Sequence, residues 1–443
     1  MNDELKIKNN ELGGKMNYRY RNDEEMKDSG VEWIGKIPKE WSISRISKEF
    51  IIRNEKVSDK DFAPLSVTKQ GILPQLDSVA KSDNGDNRKR VCVGDFVINS
   101  RADRKGSCGT SSYDGSVSLI CNVLTPKYLD SQYIHSLFRN YYFSEEFYRW
   151  GSGIVDDLWS TNIEKMKKIN IPKPNKNEDK KIAKFLDKKI AQFDFIISKK
   201  EALIEKLEEA KKSLISEVVT GKVRVVKTND GYELVERKKE EMKDSEISRI
   251  GSIPTYWNIS KLKYVSNIIM GQSPDSSDVK DLGNTLFMQG SSEFGKMFPS
   301  PKMYCDNSNK VSRIGDILMS VRAPVGEVNI SNKPYAIGRG LCSIKAVNIS
   351  SGYLWYFMMK SKDDFRFYSN GTTFDAITIN IINNFILTVP SKNEENMIVE
   401  FLNKETSKIE NLVINIKTVI EKLKEAKQSL ISEAVTGKIE ILD

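Results

Sequence analysis

The segment IEKLEEAKKSLISEVVTGK at 204–222 returns as IEKLKEAKQSLISEAVTGK at 420–438, with 16 of 19 positions identical at an offset of 216 residues. Helix composition alone does not produce such identity, so the chain is two copies of one plan. The same offset holds upstream. Lys27-Asp28-Ser29 aligns with Lys243-Asp244-Ser245, and Ile34-Gly35, Pro38 and Trp41 align with Ile250-Gly251, Pro254 and Trp257. Each half opens on IGxIPxxW and closes on a helix ending in T-G-K, while the sequence between diverges. Two like frames carrying unlike inserts point to a scaffold presenting two different reading heads.

The closing helices are expected at 178–219 and 394–435. In the first, apolar residues recur at steps of four and three: Ile182, Leu186, Phe193, Ile196, Leu203, Leu207, Ala210 and Leu214, interrupted by Lys189 and Lys200. The second carries Ile398, Leu402, Ile409, Leu412, Ile416, Val419, Leu423, Ala426 and Leu430. This is the spacing of a coiled-coil seam. Gly221 and Gly437 are natural stops, since glycine adopts the left-handed residue that ends a helix. Each helix would be roughly 60 Å long at about 1.5 Å per residue. A seam of that length needs a partner, and two in one chain can satisfy each other. Halves related by a pseudo-two-fold would run the helices antiparallel, with the variable units at opposite ends.

Between frame and helix, β-branched runs such as APLSV, RVCVGDFVINS and GSVSLICNVLTP alternate with Gly, Asp and Asn turn signals. A helical stretch follows, SQYIHSLFRNYYFSEEFYRW in the first half and SGYLWYFMMKSKDDFRF in the second. Both inserts exit through an apolar residue and a proline, Ile171-Pro172 and Val389-Pro390. The expected fold class is α+β: two mixed α/β domains joined by two long antiparallel coiled-coil helices in a pseudo-two-fold repeat. The expected parts are a polar tail at 1–16, a first variable unit at 17–174 and a spacer helix at 175–222. A charged connector at 223–242 follows, with a tight turn at N-D-G between two short strands. A second variable unit at 243–391 and a second spacer helix with a short tail at 392–443 complete the chain.

Composition removes several function classes. No apolar run approaches the roughly 18 residues of a membrane span, and the first residues lack the apolar core of a secretory signal. A cytoplasmic protein without a membrane partner is expected. Five cysteines (Cys92, Cys108, Cys121, Cys305 and Cys342) are widely spaced without CxxC, and read as reduced thiols. The single histidine, His135, excludes a two-histidine metal site and leaves little for imidazole acid–base chemistry; it reads as a helix packing residue. There is no GxxxxGK[ST] phosphate loop and no Pro-Pro dipeptide of an amino-methyltransferase. Glu209 and Lys211 share the E-x-K spacing of nucleases, but a Lys/Glu-rich helix generates that spacing by itself. No catalytic residue, metal site or cofactor is expected in this chain.

The net charge of +8, from 69 bases against 61 acids, is compatible with nucleic acid without establishing it. Local clustering is more informative. From 88 to 107 there are six bases and two acids: Arg88, Lys89, Arg90, then Arg101, Arg104 and Lys105, with Ser100 and Ser107. Arginine can read guanine or clamp phosphate, and small residues admit a close backbone. In the second insert the stretch after Gly-Asp brings Ser320 and Arg322 to a strand end, as it brings Ser100 in the first. Gln272, Ser273, Gln289, Lys296, Arg339, Thr372 and Thr373 are further polar candidates in Gly-rich loops.

These motifs (KDSGVEWIGKIPKEW with KDSEISRIGSIPTYW, the two T-G-K helices, and GDILMSVRAPVG…AIGRGL with GTTFDAI) resemble those of type I restriction–modification specificity subunits over about 27–440. Arg249 departs from the pattern, standing where the first half has Trp33. The resemblance implies a non-catalytic reader of double-stranded DNA, each domain recognising one half of a split, asymmetric target and the helices measuring the spacer. It implies two methyltransferase subunits that carry S-adenosylmethionine to an adenine in each half, and restriction subunits using ATP and Mg in systems that cleave. A specificity subunit of a type II bipartite-target enzyme would share these motifs, and a coiled-coil assembly scaffold without DNA is the remaining alternative.

Overall fold

The computed structural model describes residues 18–75, 85–153, 159–229, 231–369 and 376–442. Contacts divide the chain into two units, Met1–Glu201 with Lys417–Asp443, and Ala202–Ile416. The divisions fall inside the two long helices, Glu178–Val219 and Lys392–Val435. Each unit therefore owns the start of one helix and the end of the other. The sequence boundaries had separated heads from helices; packing does not. The core of the first unit joins Trp41, Phe138 and Phe143 to Ile182, Leu186 and Phe193 of one helix and Leu430, Ala434 and Val435 of the other.

In the first unit, the Trp41 indole is fully buried and its Nε1 donates to Glu178 Oε2 at 2.7 Å. Arg21 donates to the other oxygen of Glu178 at 2.8 Å and to the carbonyl of Gly437 at 2.9 Å. In the second unit Trp257 Nε1 donates to Glu394 at 2.8 Å, and Arg237 pairs with Glu394 and donates to the Gly221 carbonyl at 2.9 Å. All these partners are related by the offset of 216. The frame motif and T-G-K are thus two sides of one contact. Each frame grips the start of the helix that follows it and the end of the other helix. Tyr133 and Tyr353 repeat the grip, their hydroxyls donating at 2.9 Å to the carbonyls of Val435 and Val219.

The connector forms a hairpin, Val223–Thr228 with Gly231–Glu236, registered Val223↔Glu236. Its counterpart in the first unit is made by the chain ends: Tyr18–Tyr20 pairs with Ile439–Ile441, registered Tyr20↔Ile439. The offset maps one pair onto the other.

Within each unit the two helices run antiparallel. In the first, Glu178 lies near Gly437, and further along Asp194 meets Lys427 at 2.6 Å. In the second, Lys211 meets Glu410 at 2.6 Å. The offset converts Asp194–Lys427 into Glu410–Lys211, so one ionic contact is used twice. Of the expected seam, Leu186, Phe193, Leu402 and Leu430 are buried, and Ile196, Leu207, Leu214, Ile409, Val419 and Leu423 are half-buried. Leu203 and Leu412 are not in the seam: they are 45% and 51% exposed, while Ile197, Val413 and Ile420 are buried. A straight helix drifts about 20° per heptad against a strict seven-residue repeat, so the stripe passes to the next apolar neighbour.

Each head is built on a four-stranded antiparallel sheet. The order is Cys108–Thr110, Phe96–Asn99, Cys121–Pro126, Phe50–Ile52 in the first, and Val328–Ile330, Ile317–Ser320, Leu341–Ala346, Ser266–Met270 in the second. A three-stranded sheet lies beside each: Gly115–Val117, Arg88–Val91 and Lys56–Val57, or Met303–Tyr304, Leu286–Met288 and Tyr335–Ile337. The Trp33 and Arg249 departure is absorbed by packing. Trp33 meets Phe143 edge-on at 5.6 Å, and the Arg249 guanidinium lies 4.2 Å over the Phe385 ring while pairing with Asp364 at 2.9 Å.

Candidate nucleic-acid interface

In both heads the central strand is entered through Gly-Asp. Gly94 and Gly315 have φ of +89° and +86°, a conformation that favours glycine. The buried Asp95 and Asp316 accept from the backbone N–H of Cys92 and Arg313, each at 2.8 Å. The strand then runs out to Arg101 in the first head and Arg322 in the second, each seven residues after its glycine. Arg101 bridges Ser160 and Arg322 bridges Ala376, residues that differ by 216. The adjoining bonds, Thr161 N to Ser100 O and Ile377 N to Val321 O, are both 2.9 Å. Arg101 and Arg322 therefore occupy one structural position. The sequence motif had set Ser100 against Ser320; the structure sets Asn99 there, because the strand lengths after Gly-Asp are equal.

Several candidates turn out to hold the scaffold. Arg88 is buried, donating to Ser116 Oγ at 2.9 Å and Ser116 O at 3.0 Å. Lys89 donates to the Cys121 carbonyl at 2.7 Å, and burial lowers its pKa. The Arg90 guanidinium lies 3.7 Å over the Phe62 ring. The basic run belongs to the middle strand of its sheet, Arg88–Val91, where neighbouring segments take up its charges. Ser100, Ser107 and Ser320 are buried. Ser320 Oγ donates to the Pro324 carbonyl at 2.6 Å and accepts from Glu327 N at 2.9 Å, which fixes the turn beyond Arg322. Two causes are at work: the long basic side chains of Arg88 and Lys89 are taken up by neighbouring segments of the same head, whereas the short Ser320 side chain satisfies the backbone of its own turn.

What remains accessible in the first head is Arg101, with Asp103 at 3.2 Å, Arg104, and Lys105, with Glu145 at 2.5 Å. In the second head four segments converge. Gly271 N donates to Leu341 O at 2.9 Å, Gln272 N to Ile337 O at 3.0 Å, Gly338 N to Met288 O at 2.7 Å and Val321 N to Gly340 O at 2.9 Å. Beneath them Met288, Leu318, Tyr335, Ile337 and Leu341 form a buried cluster. Above it the rim exposes Gln272, Gln289, Arg322 and Arg339, with Ser273 half-buried beside Gln289. Arg322 and Arg339 have no hydrogen-bond or ion-pair partner for their side chains among the described residues. Lys296 stands apart, paired with Glu410 of the second long helix at 2.7 Å. Thr372 and Thr373 lie outside the described residues.

His135 accepts from Thr110 N at 3.2 Å through Nδ1, and burial brings its pKa down to about 4. It is a neutral packing residue. Among the described residues no group of His, Cys, Asp and Glu could hold a metal ion, and no helix is long and apolar enough to cross a membrane. The sequence reading missed Arg21, Arg237, Glu178 and Glu394, although the 216 offset pairs them and could have found them.

Residues 42–206 and 254–422 match the type I restriction modification DNA specificity domain. The chain belongs to that family. Two copies of the domain, one per half, account for the internal repeat. A relative over nearly the whole length is the putative type I restriction enzyme MjaX specificity subunit of Methanocaldococcus jannaschii, 28% identical over 92% of this chain and 96% of that one. The MjaVIII specificity subunit of the same organism is 25% identical over 56% of this chain and 58% of that one. Two solved structures share the fold. One, from work on complex assembly and conformational transition of the type I R-M system, has a TM-score of 0.72 at 20% identity, covering 91% of this chain and 99% of that one. The HsdS subunit from Thermoanaerobacter tengcongensis has a TM-score of 0.51 at 21% identity, covering 91% and 98%.

Proposed function

We propose that this specificity chain binds double-stranded DNA through its two head rims, one half of a bipartite target per head, and is not itself an enzyme. The observation that carries the reading is the shared position of Arg101 and Arg322. Two heads of unlike sequence place an arginine at the same strand end and surround it with different polar residues. That is the arrangement a two-part reader needs: a common anchor and a variable rim. The family match over both halves disfavours a scaffold without DNA.

In this reading the antiparallel helices set the spacer between half-sites and offer the surface on which two methyltransferase subunits dock. Those subunits would carry S-adenosylmethionine, and restriction subunits would bring ATP and Mg. The test is a methylome. The chain is co-expressed with its neighbouring methyltransferase subunit in a methylation-free host, and modified adenines are mapped by long-read sequencing. One bipartite motif with unlike halves and a fixed gap is expected, and Arg322→Ala should degrade the second half only. A stable complex that leaves no motif would overturn the reading.

A further inference from the structure

We propose that Gln289 is a specificity-determining residue of the second head, set to read an adenine in the major groove of the second half-site. The inference rests on the DNA-reading function above.

The case begins with three glycines. Gly271, Gly338 and Gly340 do not have positive φ, so backbone conformation does not explain them. Space does. A Cβ on Gly338 would stand 2.2 Å from Gln289 Oε1 and 2.9 Å from its Cα. A Cβ on Gly340 would stand 2.5 Å from the Gln289 carbonyl, and one on Gly271 would stand 2.1 Å from the carbonyl of Gly338. Two of the glycines thus make room for Gln289 directly, and the third for the turn after Tyr335–Ile337 that cradles it.

The side chain they admit is exposed, yet held. Gln289 Nε2 donates to Ser273 Oγ at 2.8 Å. Its backbone is pinned on both sides, with Gly338 N bound to Met288 O at 2.7 Å and Gly340 N bound to Gln289 O at 3.1 Å. An exposed glutamine ordinarily samples many rotamers, and fixing one costs entropy that solvent-facing decoration does not need. A cradle of this kind is what a preorganised reading group requires.

The chemistry then selects the base. A glutamine amide has two N–H donors and one carbonyl acceptor. Ser273 takes one donor. The remaining N–H and Oε1 match the N7 acceptor and N6 donor of adenine, the pair by which glutamine reads adenine bidentately. Arg322 and Arg339 stand exposed on the same rim, next in sequence to Val321 and Gly340, whose backbones join there. They have no side-chain partners among the described residues, so they supply positive charge for phosphates or guanine edges.

The experiment compares methylomes of the complete complex carrying wild type, Gln289→Ala, Gln289→Glu and Ser273→Ala, with competition binding against duplexes altered at single base pairs. Wild type should show an adenine·thymine pair at one position of the second half-site. Gln289→Ala should lose roughly ten- to hundredfold of the discrimination at that position alone. Gln289→Glu, which keeps the shape but loses the donor, should shift preference toward cytosine on the same strand. Ser273→Ala should broaden the same position more mildly. An unchanged second half in both Gln289 variants would overturn the assignment, as would uniform weakening at every position, the mark of a backbone contact. A wild-type complex with no bipartite motif would instead overturn the function beneath it, and the assignment with it.

Discussion

Gly437→Ala tests whether the T-G-K ending is there to seat a helix end on the opposite frame. Gly437 has φ of +73°, and a Cβ there would lie 2.6 Å from Pro38 Cδ and 3.0 Å from Trp41 Cη2. The left-handed backbone costs an alanine roughly 1–2 kcal/mol. Forcing a methyl against a proline and a buried indole adds about 1–3 kcal/mol. The control is Gly35→Ala, with φ of +69° and nothing within 4 Å of the added Cβ; it should cost only the backbone share. Hydrogen exchange reads the difference locally. The amides of Arg21 and Trp41 donate to Lys438 O and Pro38 O, both at 3.0 Å, inside the affected contact. A loss of about 3 kcal/mol raises exchange through local opening roughly a hundredfold. Gly437→Ala should do this at 18–41 and leave 234–257 unchanged. Gly221→Ala, with its Cβ 2.6 Å from Pro254 Cδ, should do the reverse. If Gly437→Ala costs no more than Gly35→Ala, or if both frames loosen together, the clamp described here is refuted.

Two further predictions follow from charges that the fold has placed. His135 is held neutral, its pKa lowered to about 4 first by burial and then by Arg139, while the unfolded chain protonates near 6.5. The unfolded state binds more protons between those values, so stability is whole above pH 6.5 and falls by about 3 kcal/mol as the pH drops toward 4. Urea unfolding of His135→Gln at pH 7, 6 and 5 should show a shallower loss than wild type; an equal slope would assign the acid sensitivity elsewhere. The repeated ionic contact should be unequal in its two copies. Lys211 and Glu410 are 13% and 31% exposed, against 21% and 56% for Lys427 and Asp194. Double-mutant cycles should give up to about 1 kcal/mol for the first pair and less for the second, both shrinking with salt; a larger coupling for Asp194–Lys427 would contradict the burial argument.

Much of this protein was legible in the sequence because repetition is legible. The offset of 216 is written in residue identities, so two like frames and two T-G-K helices needed no coordinates. The first helix spans Glu178–Val219, as the seam spacing and Gly221 required, because long amphipathic helices are set by local periodicity. What the residues of the frame do was not legible. That Trp41 binds Glu178, and that Gly437 closes against Pro38, are contacts between segments far apart in the chain, and spacing along a sequence carries no information about them. The same limit explains the site. Arg88 and Arg322 look alike as basic residues beside strands. Only tertiary structure sends one into a three-stranded sheet to bind Ser116 and leaves the other at an open rim. Likewise Gly338 and Gly340 read as turn glycines until three segments meet around Gln289. Local physics decides what each segment is; burial, which depends on what arrives from elsewhere, decides which of its side chains remain free to act.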